Sequence, residues 1–177
     1  FGGADYVNLT SGISLYNTLT QGTVSVWFKT SNNGHLIAIA NSGAASGFVY
    51  LFVGESTATY ADESLCFVFR DSGAVTRINA CYRNGTTFLK DNAWHYAAFA
   101  VSDIGNKMYL DGKEVALSYA TGSTTTTGYF LNGTNFDFIS IGVIKYNSTF
   151  NDYYKGLIDE VKIYNYALTS DEVQLDY

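Results

Sequence analysis

The residues able to do acid–base chemistry are few and scattered. Retaining glycoside hydrolysis needs two carboxyl groups about 5 to 5.5 Å apart, and Glu55, Glu63, Glu114, Glu160 and Glu172 are far apart in the chain. The one close acidic pair on a strand-like run, Asp159 and Glu160, is divided between opposite faces by the two-residue period of a strand. His35 and His95 have no Ser or Cys nucleophile in a recognisable motif beside them. His35 follows Asn33-Gly34 and reads as a strand-end surface residue. Asp159 stands out for another reason. Within Leu157 to Tyr164 it shares a face with Leu157, Val161 and Ile163, and a carboxylate beside core residues must be paired, hydrogen-bonded or bound to a cation.

Binding chemistry is better represented. Tyr146, Asn147, Phe150, Asn151, Asp152, Tyr153 and Tyr154 fall within one stretch, YNSTFNDYY. Aromatic rings suit the apolar face of a sugar, and the planar amide and carboxylate groups beside them suit its hydroxyls. The stretch from Tyr119 to Tyr129, with Phe130, has similar composition. The same residues would serve equally as contacts between copies of the chain, so both readings stand for these segments.

The elements that must position these residues are strands. Thr23–Phe28, His35–Asn41, Phe48–Val53, Leu65–Arg70, Val75–Tyr82, Trp94–Ser102, Lys107–Leu110, Lys113–Leu117 and Phe138–Val143 are short, rich in aromatic or β-branched residues and bounded by Gly, Asn, Ser or Asp. Asp111-Gly112 is a strong hairpin signal because both residues accept positive φ. After Leu157–Tyr164 the pattern changes: Thr169 precedes Glu172 by three residues, the arrangement of a capping box, so a short helix closes the chain. The expectation is an all-β, two-sheet antiparallel sandwich of jelly-roll type with one short C-terminal helix, and a single domain over residues 1–177.

Composition bounds the partners. Of the 177 residues, 47% are hydrophobic and only 15% charged, for a net charge of −6. Ten Lys and Arg offer no basic stripe for a phosphate backbone, which argues against nucleic acid. No run approaches the roughly 18 apolar residues of a spanning helix, so no membrane insertion is expected. A chain opening on Phe1 already in strand pattern reads as a processed mature protein or an excised domain, with a leader removed. Asn-x-Ser/Thr triplets at Asn8, Asn84, Asn132 and Asn147 fit N-glycosylation in an extracellular or cell-surface setting. If Gly73-Ala74 forms a two-residue turn, Cys66 falls opposite Cys81 and a disulfide is expected. Counting from that turn makes them a widely spaced, hydrogen-bonded pair, which suits a bridge poorly. Two unlinked thiols are the alternative.

Several stretches carry a family resemblance. GLIDEVKIYNYALTSDEV resembles the closing motif of the laminin-G-like jelly-roll family, within the concanavalin A-like lectin and glucanase superfamily. FGGADYV resembles its opening strand, TVSVWF its second, and WHYA with YLDGKEV its central hairpin. The resemblance implies that the first and last strands, Phe1–Asn8 and Leu157–Tyr164, are neighbours, and that Ca2+ sits at the rim between Asp5 and Asp159. Gly2 departs from the family pattern, which commonly has an acidic residue there. It also implies a secreted, non-enzymatic module binding glycans or surface proteins. A second reading is a subunit that packs against copies of itself in an extracellular filament or sheath, and a distant third is a glycoside hydrolase.

Overall fold

The computed structural model describes residues 1–44, 46–54, 64–83, 88–126 and 136–177. Among these the chain forms β1 (Val7–Asn8), α1 (Ile13–Tyr16), β2 (Gly22–Thr30), β3 (Gly34–Ala40), β4 (Phe48–Val53), β5 (Leu65–Arg70), β6 (Thr76–Tyr82) and β7 (His95–Val101). It continues with β8 (Asn106–Leu110), β9 (Lys113–Val115), β10 (Ser118–Thr121), β11 (Phe138–Ile141), β12 (Ile144–Tyr146), β13 (Thr149–Asn151), β14 (Gly156–Tyr164) and α2 (Ser170–Asp176). One sheet runs β1-β11-β3-β4-β5-β6-β10 and the other β14-β2-β7-β8-β9, with every pairing antiparallel. The all-β sandwich and its closing helix are as the sequence predicts.

The core lies between the sheets. Val24, Val26 and Phe28 of β2 and Ala97, Phe99 and Val101 of β7 meet Leu51, Val53, Leu65, Phe67 and Phe69 from the other sheet. Phe67 stacks on Phe99 at 3.7 Å between ring centroids, joining the two layers at their middle. Strands such as FVYLFV in β4 lack polar alternation because their outer face is covered as well. The β12–β13 hairpin places Ile144 over Ala38, Ala40, Phe48, Tyr50, Phe52 and Val68 of the seven-stranded sheet. On the other sheet, Leu168 and Val173 cover Tyr96, Ala98, Ala100 and Tyr109. Helix α2 begins with the expected capping box: Thr169 Oγ1 accepts from Glu172 N, and Glu172 Oε2 accepts from Thr169 N at 2.8 Å.

The two ends of the chain depart from expectation. Val7–Asn8 pairs with β11 in the seven-stranded sheet, whereas β14 edges the five-stranded sheet, so the first and last strands are not neighbours along their length. Only the first residues reach β14. Gly2 bridges Lys155, the Phe1 ammonium donates to Gly156 O at 2.8 Å, and Gly156 N donates to Phe1 O at 3.1 Å. Gly156 is required there: its φ is +142°, and a Cβ would run into Lys29 O.

A β-bulge interrupts β14 between Asp159 and Lys162, with Glu160 at φ +48°. The extra residue flips the face assignment of the residues before it. Ile158, Val161 and Ile163 pack on the core, while Leu157 and Asp159 face outward and are exposed. The expected placement of Asp159 among core residues is therefore corrected.

Candidate functional site

The outer face of the seven-stranded sheet is a grid fixed by strand register. Across β3, β4, β5 and β6 one row is His35, Phe52, Cys66 and Cys81. The next is Ala38, Tyr50, Val68 and Asn79, and the third is Ala40, Phe48, Arg70 and Thr76. Ile144 and Asp152 from the hairpin segment stand beside this floor. Between them lies a cavity of about 330 Å³ lined by His35, Phe48, Tyr50, Phe52, Val68, Arg70, Thr76, Asn79, Ile144 and Asp152. A second cavity, also about 330 Å³, shares His35, Phe52 and Asp152 and adds Asn33, Gly34, Val53 and Tyr153. Four residues along a strand separate the outer rows, so the arginine and the histidine stand roughly 13 Å apart along the strand direction and two strands apart across it.

Polar groups in the cavity are held ready. Tyr50 OH and His35 Nδ1 are buried and have no hydrogen-bond partner. Burial holds the Tyr50 phenol protonated well above its ordinary range, so it remains a donor. Burial pushes His35 down to about 4, against an opposing pull from Asp152, so the imidazole is neutral near pH 7. Its ring stacks on Phe52 at 5.1 Å and meets Tyr50 edge-on at 5.0 Å. Arg70 donates from Nε to Ala74 O at 2.9 Å and lies 5.9 Å from the Phe48 ring centroid. Phe48 in turn stacks on Tyr50 at 4.2 Å. A guanidinium, a phenol and a neutral imidazole over an aromatic floor can take a ligand that carries both an anionic group and a ring.

The family profile of the concanavalin A-like lectin/glucanases superfamily, laminin-G-like branch, matches residues 1–174. The chain belongs to this laminin-G-like family. Among curated proteins none matches the sequence. Solved structures share the fold. The Ruminococcus gnavus IT-sialidase CBM40 bound to α2,3-sialyllactose superposes with a TM-score of 0.77 at 15% identity, over 99% of this chain and 93% of that one. The leech intramolecular trans-sialidase, complexed with 2,7-anhydro-Neu5Ac, gives 0.78 at 15% identity over 99% of this chain and 26% of that one. Domain 4 of AbnA, an extracellular arabinanase from Geobacillus stearothermophilus in complex with arabinotriose, gives 0.58 at 23% identity over 89% and 66%.

In this laminin-G-like chain the predicted binding stretch is divided. Tyr146, Asn147, Phe150 and Asn151 form the β12–β13 hairpin, turned at Asn147-Ser148 with φ of +48° and +64°. Tyr146 packs edge-on against Phe48, and Phe150 lies against Tyr6, Phe138 and Tyr153. Asp152 lines both cavities and Tyr153 one of them. Tyr154 is a core residue, fully buried, edge-on to Phe1 at 6.2 Å. Its expected place on a solvent-facing platform is corrected: Tyr154 N donates to Gly142 O at 2.8 Å, and the ring joins the core cluster. His35, expected at the surface, is 8% exposed and is part of the cavity wall.

The cysteines are joined, Cys66 to Cys81. Their Cα atoms are 4.1 Å apart, a narrow pair, contrary to the count from a two-residue turn. The turn is longer: Asp71 N donates to Val75 O and Ala74 N to Asp71 O, with Ala74 at φ +63°. A bulge next to Phe69 then restores the register while inverting its hydrogen-bonding phase.

Asp5 and Asp159, expected to share Ca2+, are not brought together by the fold. The antiparallel bridge between Gly2 and Lys155 sends the two segments in opposite directions. Each carboxylate accepts one local hydrogen bond, Asp5 from Gly2 N at 2.7 Å and Asp159 from Glu160 N at 2.9 Å. Calcium needs six to eight oxygens, and among the described residues no group of three or more His, Cys, Asp or Glu side chains is placed to hold a metal ion. Of the glycosylation triplets, Asn8 and Asn147 are exposed, while Asn84 and Asn132 lie outside the described residues, as do Tyr129 and Phe130. His95 serves the framework: it bonds Asp111 Oδ2 at 3.0 Å and Asp91 Oδ1 at 3.3 Å, bracing the Asp111-Gly112 turn. Among the described residues no helix is long and apolar enough to cross a membrane.

Proposed function

We propose that the chain is a non-catalytic, extracellular module that binds an acidic glycan terminus, of the sialic acid type, in the cavity between the β12–β13 hairpin and the seven-stranded sheet. The observation that carries this reading is the coincidence, in one aromatic-floored cavity, of Arg70 with two buried polar groups that lack partners, Tyr50 OH and His35 Nδ1. Arg70 pairs with the sugar carboxylate through its terminal nitrogens, the geometry a guanidinium matches best. Phe48 and Tyr50 meet the ring, and Tyr50, His35, Thr76, Asn79 and Asp152 surround its hydroxyl and acetamido groups. The unpaired groups cost free energy in the empty fold and recover it when a ligand bonds them. Two further observations support the reading. The Ruminococcus gnavus CBM40 has the same fold and was solved with α2,3- and α2,6-sialyllactose, and a disulfide suits an oxidising, extracellular setting.

The test is a nuclear magnetic resonance titration with 3′-sialyllactose. Resonances of His35 and Tyr50 should shift in a saturable way, and Tyr50→Phe should weaken binding about tenfold, the cost of one hydrogen bond to a charged or strongly polar ligand group. Shifts confined to other residues, or a Tyr50→Phe variant that binds as tightly as the native protein, would contradict the assignment.

A further inference from the structure

The opposite side of the molecule has a hollow that acidic-glycan binding does not use. It lies on the outer face of the five-stranded sheet, measures about 350 Å³ and is lined by Trp27, Trp94, Asp159 and Glu160. The chain has 2 tryptophans, and both are here. Trp27 of β2 stands directly across from Asp159 of β14. Tyr177 stacks on its ring at 5.2 Å with 14° between planes, which fixes the indole. Trp94, just before β7, is 41% exposed and supplies an open ring surface.

The carboxylates reach the hollow because of the bulge. A regular strand would send Asp159 and Glu160 to opposite faces. With Glu160 at φ +48°, both border the same indoles, which corrects the sequence expectation for this pair. Asp159 accepts from Glu160 N through Oδ1, and an ionised carboxylate has further acceptor capacity. Glu160 Oε2 lies 3.5 Å from Lys162 Nζ, so part of its charge is compensated while its acceptor capacity remains.

We propose that this hollow is a second carbohydrate site, one for a neutral sugar ring stacked on Trp94 and Trp27 with its hydroxyls donating to Asp159 and Glu160. The two carboxylates are acceptors, so a ligand that meets them must bring donors, and an anionic sugar would meet two groups of its own sign. The hollow is open to solvent, a platform for a flat ring and not an enclosure for a quaternary ammonium group. The proposal does not depend on the acidic-glycan reading, since the two sites lie on outer faces of different sheets.

Intrinsic tryptophan fluorescence tests it, because the only two reporters line the hollow. Arabinotriose, xylotriose, cellotriose and maltotriose are titrated at millimolar concentration, with choline chloride as the cationic comparison. At least one trisaccharide should shift the emission saturably. Trp94→Ala should weaken that binding about tenfold, Trp94→Phe should retain most of it and show that the surface stays folded, and Arg70→Gln should leave it unchanged. No saturable shift with any trisaccharide, saturation by choline alone, or an unaltered affinity in Trp94→Ala would overturn the proposal.

Discussion

Tyr154 shows how far one side chain can sit from the role its neighbours suggest. It follows Tyr153 in sequence, yet it is fully buried, its ring against Phe1 and its hydroxyl donating to Leu157 O at 3.3 Å. Tyr154→Ala should cost about 3–5 kcal/mol of stability, as for other buried aromatic truncations, measured by urea denaturation; a loss below 1 kcal/mol would place the ring outside the core. The two histidines bias stability in opposite directions on either side of pH 6.5. His35 titrates near 4 in the fold and near 6.5 unfolded, so between these values the unfolded chain binds more protons and stability falls as pH drops. His95 behaves oppositely: its bonds to Asp111 and Asp91 raise it above 6.5, against the effect of burial. Its contribution is complete below about 6.5 and is lost as pH rises through the folded value. Thermal melts should therefore peak near pH 6.5, with His35→Phe flattening the acid limb and His95→Gln the alkaline limb. Melts whose limbs are unchanged in both variants would show that other groups set the profile.

At the scale of elements, the strands were legible because alternation and turn residues are local signals. Asp111-Gly112 announced its hairpin, and Thr169 with Glu172 announced the helix. The β12–β13 hairpin was not legible, since its Asn147-Ser148 turn needs two non-glycine residues at positive φ, which sequence does not advertise. The bulge at Glu160 was hidden for the same reason, and it reversed the assignment of Asp159. The candidate site was the least legible feature. His35, Tyr50, Arg70 and Asn79 come from four strands and are unremarkable singly; only register brings them together. The disulfide sits in that same floor and closes a separation of 15 residues, so reducing it should cost about 3 kcal/mol. Intact mass before and after reduction, followed by denaturation of both forms, measures it; equal stabilities would show a bridge without energetic role. Helix α2 is tied to its sheet through Asp176, which burial would raise but which Lys162, Tyr96, Tyr164 and Ser25 hold low. Their atoms lie 2.6, 2.7, 2.9 and 3.0 Å away. Asp176→Ala should cost about 2–4 kcal/mol and raise amide exchange in the helix first. A variant as stable as the native protein would mean that Leu168 and Val173 hold the helix unaided.

At the scale of the whole molecule, the proposed anion site must work in a chain with a net charge of −6. The sheets turn their apolar faces inward and leave two outer faces with different equipment: one with Arg70 and the unpaired Tyr50 OH and His35 Nδ1, the other with indoles and carboxylates. Long-range repulsion is screened within about 8 Å at physiological ionic strength, so in the proposed reading the local guanidinium outweighs it. The central claim is that this cavity binds an acidic sugar through Arg70. Isothermal titration calorimetry with 3′-sialyllactose and with lactose, on the native protein and on Arg70→Gln, tests it most directly. Sialyllactose alone should bind, with affinity lost about thirtyfold or more in Arg70→Gln while the melting temperature stays within a few degrees, because removing one partner of a charge-assisted pair costs about 2–5 kcal/mol of binding. Equal binding of lactose and sialyllactose, or an Arg70→Gln variant with native affinity, would contradict it.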